Sequence, residues 1–242
     1  MLRTKVPTGP LWQYEIKHDG YRIQAHVHRG HVRLFTKSGL DYADRMPAIV
    51  DAVSSLGRDV IVDGEAVITG PDGVTDFYAL HTAISGKSAP NAHLYAFDLL
   101  QLDSQDLRPR SLAERRAMLV EVLIGAGPGM FLSEHMTSDG PAMHTAACRM
   151  GLEGIVAKRI DRPYRSGPCE DWIKVKCTKL DHFAVVGFDG AGRSGVAALK
   201  LARIADDFLV PCGSVGSGIS ETTSRALWAA MEAGDHLVVE VE

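Results

Sequence analysis

The alternation of residue types from Tyr21 to Thr36 constrains this chain more than any other feature. Ile23, Ala25 and Val27 alternate with Arg22, Gln24, His26 and His28, and Arg29-Gly30 interrupts the run before Val32 and Leu34. A period of two around a glycine-containing break predicts a β-hairpin with one buried face. Further strands are predicted over Trp12 to Ile16, Asp59 to Ile68, His93 to Leu100, Gly154 to Lys158 and Trp172 to Lys176. Helices are predicted at Asp76 to Ile84, at Ser138 to Gly151, and from the capping-box sequence Ser111-Leu-Ala-Glu114 through Leu123. Composition changes near Thr178. Four strand-like runs follow (His182 to Phe188, Ala198 to Ile204, Phe208 to Gly213, Leu237 to Val241), separated by glycine-rich loops, with one helix at Glu221 to Ala233. That order suggests a small barrel of the OB type. The expected organisation is α+β, with a first domain over 1–180 and a second over 181–242.

Composition sets the outer bounds. The 242 residues are 45% hydrophobic and 23% charged, enough to bury a core without staples. No apolar run approaches the roughly 18 to 20 residues of a membrane helix, and the N-terminus lacks the apolar stretch of a signal peptide. Cys148, Cys169, Cys177 and Cys212 contain no CxxC pair, so they are expected to be reduced thiols, not a disulfide or zinc framework. A net charge of −4 excludes a polycation but not a concentrated basic surface. Seven basic residues against three acidic ones between Lys158 and Lys179 form such a concentration, and Arg108, Arg110, Arg115 and Arg116 form another.

Lys17-His-Asp19-Gly20-Tyr-Arg22 stands where the first extended segment meets the hairpin. Lysine is a nucleophile once its amine is uncharged, which burial and neighbouring cations favour. Read alone, Asp-Gly between charges is ordinary turn chemistry. Its company in the chain strengthens it: Lys37-Ser38-Gly39, Asp63-Gly64-Glu65, Tyr95-Ala-Phe97-Asp98, Glu153-Gly154-Ile-Val-Ala-Lys158-Arg159 and Trp172-Ile-Lys174-Val-Lys176. Lys174 and Lys176 share one strand face and suit an anionic phosphate. Glu65 and Glu153, each beside a glycine, are placed to reach a hard cation. Three other patterns carry less. Gly190-Ala-Gly192-Arg-Ser-Gly195 matches a dinucleotide fingerprint, but a strand and not a helix follows it. His26, His28 and His31 read as solvated histidines, and Cys169 has no adjacent histidine to activate it.

The ordered set resembles the covalent nucleotidyltransferases, and specifically the ATP-dependent DNA ligases of the small bacterial and end-joining kinds, over about residues 9–242. The resemblance implies an ATP-grasp-like nucleotidyltransferase core of antiparallel sheets with flanking helices, followed by an incomplete OB-fold. It implies that Lys17 attacks the α-phosphate of ATP to give lysyl-AMP. Glu15 and the Ile16 backbone would select adenine, Phe97 would stack on it, and Arg22 and Glu65 would reach the ribose side. Lys37, Lys174 and Lys176 would meet phosphates, and Glu65 and Glu153 would hold Mg²⁺ or Mn²⁺. The AMP would pass to the 5′-phosphate of nicked or broken duplex DNA, held through Arg159, Arg165 and Lys179. A Ku-like end-binding partner and a bacterial cytoplasmic, nucleoid-associated location are expected, with no membrane.

Two departures qualify the resemblance. Lys37 and Ser38 stand where such ligases show arginine and asparagine, and no counterpart of their basic C-terminal motif follows Val238-Val-Glu240-Val-Glu242. A truncated second domain, or an impaired first step, is the expectation there. Rival readings are an RNA ligase, a capping guanylyltransferase, or a non-catalytic relic that binds DNA ends.

Overall fold

A computed structural model describes residues 1–177, 181–192, 194–205, 208–233 and 237–241. The chain divides into two compact units, Met1–Cys177 and Thr178–Glu242. In the first unit, β1 (Trp12–Ile16) precedes the hairpin of β2 (Tyr21–His28) and β3 (His31–Thr36). At the predicted break, Arg29 and Gly30 both take positive φ, which suits the twist of a tight hairpin. A 3₁₀ turn and α1 (Pro47–Ser54) lead to β4 (Val60–Val67), α2 (Phe77–Ser85), β5 (His93–Leu102) and the short β6 (Gln105–Asp106). Then come α3 (Leu112–Leu123), β7 (Met130–Leu132), β8 (His135–Met136), α4 (Gly140–Arg149), β9 (Gly154–Arg159) and β10 (Trp172–Lys176).

Two sheets result. One runs β3-β2-β4-β5-β6, with β7 alongside β5, and the other runs β10-β9-β1-β8. Ile23, Ala25, Val62, Leu94 and Leu99 carry the first sheet into a core closed by α1, α2 and α3. Tyr14, Ile155, Ala157 and Val175 carry the second against α4. Each sheet therefore sends its alternate residues to its other face, and those two faces hold the polar side chains.

The reading of all four cysteines as reduced thiols is corrected for two of them. Cys148 at the end of α4 and Cys177 just past β10 form a disulfide across 29 residues, whereas Cys169 and Cys212 are free. Tertiary packing of α4 on the sheet joins them, and sequence spacing carries no trace of that.

In the second unit, β11 (Asp181–Gly190), β12 (Val196–Ala205) and β13 (Phe208–Val215) are followed by α5 (Glu221–Glu232) and β14 (Val238–Val241). They form one antiparallel sheet in the order β13-β12-β11-β14. Leu199, Leu201, Phe188 and Trp228 pack its core. The glycine-rich Gly190–Gly195 stretch is the connection between β11 and β12.

Candidate active site

β1 lies between β9 and β8, and Lys17 follows it directly. The Lys17 amide still donates to the Gly154 carbonyl at 2.9 Å, so the lysine stays tied to the sheet. Its Nζ pairs with Glu153, whose other oxygen takes Lys176 Nζ at 3.1 Å. The glycine after Glu153 is required by geometry. Gly154 has φ +140, and a Cβ there would lie 2.2 Å from the Val175 carbonyl oxygen. Gly20 serves the same end, since its Cβ would meet the Ala66 carbonyl oxygen at 2.2 Å. The chain thus enters β2 hard against β4.

Pairing register then assembles one cavity of about 520 Å³, its open mouth included. On β10 and β9, Trp172 faces Lys158 and Lys174 faces Val156, while Glu15 of β1 faces Val156 from the other side. On the opposite sheet Arg22 of β2 faces Glu65 of β4. These side chains, with Ile16, Lys17, His18, Phe97 and Ser133, line the cavity. A cleft open to solvent with a mixed apolar and charged wall suits a small organic anion.

Charge in the cavity is arranged unevenly. Arg22 grips the fully buried Asp63 through two bonds of 3.0 and 2.6 Å. Burial alone would lower the Arg22 pKa, but the hydrogen bonds and charge of Asp63 outweigh it and raise the value. The Tyr164 hydroxyl donates to Asp63 at 3.3 Å and steadies the pair. Burial pushes Glu65 up to about 7, although the charges of Lys17, Lys174 and Arg22 pull the other way. Burial, then the charge of Lys17, lowers Lys174. Burial alone would raise the Glu153 pKa, but the hydrogen bonds and charges of Lys17 and Lys176 together outweigh it and lower the value. His18, stacked on Tyr95 with ring centroids 4.1 Å apart, is pushed down to about 4 by burial and is neutral at pH 7.

Glu15 is the most heavily bonded group in the wall. It accepts from Gln13 Nε2 at 2.8 Å, Arg116 Nη1 at 3.1 Å, Lys158 Nζ at 2.7 Å and Ser133 Oγ at 3.2 Å. A carboxylate has about four acceptor positions, so this set fills it. Lys158 Nζ also sits 4.1 Å from the Phe97 ring centre and 4.2 Å from that of Trp172.

Of the residues singled out by sequence, Lys17, Glu15, Ile16, Arg22, Glu65, Phe97 and Lys174 share this cavity. Glu153 and Lys176 join it through Lys17. Lys37 does not: it is exposed in the turn after β3, outside the lining. Arg159 is held by Asp161 through two bonds of 2.8 Å, Arg165 is exposed, and Lys179 lies outside the described residues. Of the cluster Arg108, Arg110, Arg115 and Arg116, the two that lie on α3 point inward. Arg115 is wholly buried on Asp98, and Arg116 on Glu15, so neither is a solvated basic face. Sequence reasoning missed Arg116, Ser133 and His18 as site residues, and left Lys158 and Trp172 without roles. For Arg116 the available signal was its position on the apolar stripe of α3, three residues before Leu119.

The Glu65 side chain receives no hydrogen bond among the described residues, although it is half-buried and the charge of Lys17, the partner of Glu153, acts on it. An underbonded, half-buried carboxylate with a second carboxylate near the same lysine fits Mg²⁺, which binds through one or two carboxylates plus substrate phosphates.

Two antiparallel sheets that hold one lysine at the edge of a cation-rich slot are the architecture of a nucleotidyltransferase of the ATP-dependent ligase class. The chain belongs to the family described as ATP dependent DNA ligase domain, which matches residues 5–176. It is similar to the multifunctional non-homologous end joining protein LigD of Pseudomonas aeruginosa, 35% identical over 233 residues, covering 93% of this chain and 28% of that protein. A probable DNA ligase of Dictyoglomus thermophilum is 31% identical over 235 residues, with 86% of this chain and 40% of that protein covered. The chain thus spans well under half the length of these relatives. Among solved structures, the ligase domain of M. tuberculosis LigD superimposes with a TM-score of 0.64 at 26% identity, covering 100% of this chain and 87% of that one. A mycobacterial DNA ligase D complexed with ATP and MES gives 0.64 at 28% identity, covering 98% and 78%. The expected fold class, a nucleotidyltransferase core followed by an OB-type unit, is that of these ligase domains.

Proposed function

We propose that this chain seals 3′-hydroxyl/5′-phosphate breaks in duplex DNA at the expense of ATP, through a lysyl-AMP intermediate, in end-joining repair. The observation that carries the reading is the position of Lys17, on the cavity wall between Glu153 and Glu65, with Arg22 and Lys174 beside it. Phosphoryl-type transfer depends mainly on positioning and electrostatic stabilisation, and this wall supplies both.

The base enters the apolar side formed by Phe97, Val156 and Trp172. With the Glu15 side chain saturated, its part is to hold Lys158 and Arg116 in place, and the backbone of Ile16, just past the end of the β8 pairing, offers the adenine its hydrogen bonds. Lys174 and Lys176 neutralise phosphate oxygens, and Arg22, fixed by Asp63, presents its remaining edge to the ribose. The Lys17 nitrogen lone pair then forms a bond to the α-phosphorus, and the bond from that phosphorus to the bridging oxygen breaks, so pyrophosphate leaves with the electron pair. The amine loses one proton before attack and another after it, and Glu153, already accepting its hydrogen bond, relays them to solvent. Glu65 and Glu153 would hold Mg²⁺, which when bound supplies positive charge to the phosphates. In the later steps a DNA 5′-phosphate oxygen takes the AMP from Lys17, and the adjacent 3′-hydroxyl displaces AMP to close the strand.

DNA is held through Arg165 and Arg159 and through Lys179, by phosphate contacts that carry no sequence preference. A Ku-like end-binding protein as recruiter and a cytoplasmic, nucleoid-associated location accord with this role. The test is a nicked duplex carrying a labelled 5′-phosphate, incubated with the protein, ATP and Mg²⁺. Conversion of the label to a phosphatase-resistant internal linkage is expected. Failure on the DNA nick together with sealing of an RNA nick, or preference for GTP over ATP, would overturn the reading.

A further inference from the structure

The disulfide lies outside the cavity, and its surroundings carry more than a cross-link. His144 and Cys148 are four residues apart on α4, so their side chains share one face of the helix. Cys177 meets that face from the end of β10, where its amide donates to the Glu153 carbonyl at 2.9 Å. The Cys148 sulfur is 3.6 Å from His144 Nε2 and 4.0 Å from Nδ1. All three donor groups lie within 4.8 Å of one another and are half-buried.

We propose that His144, Cys148 and Cys177 form a site for a thiophilic divalent cation of the zinc class, present when the cysteines are reduced and closed off when they pair. Zinc–sulfur and zinc–nitrogen bonds of about 2.3 and 2.0 Å at tetrahedral angles set nitrogen and sulfur about 3.5 Å apart. The ring nitrogen left free to bind, Nδ1, lies 4.0 Å from the Cys148 sulfur, about half an ångström beyond that spacing and within reach of a small side-chain rotation. The two sulfurs need about 3.8 Å between them, which rotation about the Cα–Cβ bonds supplies once the S–S bond is open. His144 is also oriented as a ligand. Its Nε2 lies 3.1 Å from the Lys176 carbonyl oxygen, which only accepts, so that nitrogen carries the proton and Nδ1 keeps a free lone pair. An imidazole anchored through its second nitrogen to a carbonyl is the usual arrangement of a metal-binding histidine. Three protein ligands leave the fourth position to water.

Opening the site requires a reductant of the dithiol class. By thiol–disulfide exchange the dithiol gives two electrons to the cystine sulfurs, its two protons complete the thiols, and it leaves as its own disulfide. Metal binding then releases both thiol protons. Either state pins α4 to the end of β10, one residue beyond Lys176. The pairing of these cysteines suits a cation site better than a permanent cross-link if the chain works in a reducing compartment.

The probe is Co²⁺, whose thiolate complexes absorb in the near ultraviolet and whose tetrahedral complexes absorb in the visible. The full chain is reduced with a dithiol, freed of it without air, and titrated. One equivalent of Co²⁺ should produce both bands, and Zn²⁺ should abolish them. Protein with the disulfide closed, and the Cys148→Ser/Cys177→Ser double variant, should show neither band. His144→Ala should weaken binding by about tenfold or more. Cys169→Ser/Cys212→Ser should leave the titration unchanged, and far-ultraviolet circular dichroism should report every variant as folded. Absence of the bands in reduced protein would overturn the proposal, as would bands that persist in the Cys148/Cys177 double variant. Neither outcome bears on nick sealing, which is measured separately.

Discussion

Glu65 and Asp98 show how differently two desolvated carboxyls, one half-buried and one fully buried, can be used. Asp98 lies with Arg115 in a pair that is fully buried on both sides, bonded twice at 2.7 Å. Removing one partner leaves the other charge stranded, so Arg115→Met should destabilise the fold by about 3–5 kcal/mol in denaturant titrations. Glu65 has no such partner, and its folded pKa lies above its unfolded one. The native state therefore holds a proton that the unfolded chain has released, and stability from this group is lost as pH rises from 4.5 to about 7. Glu65→Gln should remove that loss. Relative to the natural protein it should gain up to about 3 kcal/mol in chemical denaturation between pH 4.5 and the neutral range, while losing activity. A constant difference across that range would contradict the assignment. The identity of such residues was legible because the motifs are short and local. Their partners were not. Arg115 and Arg116 read as a basic helix face, since nothing in the sequence reports that β5 and β1 bring Asp98 and Glu15 beneath them.

At the scale of elements, alternation and capping were the reliable signals. The hairpin of β2 and β3 turns at Arg29-Gly30 as its pattern requires, and α3 begins with a capping box in which Ser111 and Glu114 bond reciprocally. Ser111→Ala should cost about 1 kcal/mol in thermal or denaturant unfolding. The elements that escaped were α1, β6, β7 and β8. The last three are two or three residues long and exist only because β5 or β1 offers an edge. α1 carries Ile49, Ala52 and Val53 on one buried stripe behind an N-terminal proline, a helical signal masked by its β-branched residues. The glycine of the Glu153-Gly154 pair ties element to site. Gly154→Ala forces a side chain into the β10 backbone at a φ that strains any L-residue, and should cost at least about 2 kcal/mol. It should also move Glu153 and so depress adenylylation more than stability alone explains, seen as lost labelling in protein that still folds.

For the whole molecule, a net charge of −4 means that any hold on DNA rests on local patches rather than on bulk charge. Binding to a nicked duplex should weaken steeply with salt, and Arg165→Ala should reduce the slope of log K against log salt by about 0.9. An unchanged slope would remove Arg165 from the interface. The central claim is narrower than any of these, because the rest of the chemistry starts from the Lys17 amine. Protein incubated with α-labelled ATP and Mg²⁺, then denatured and digested, should carry one AMP on the peptide containing Lys17, and Lys17→Ala should carry none. Intact protein without label, or label that survives in Lys17→Ala, would contradict the account.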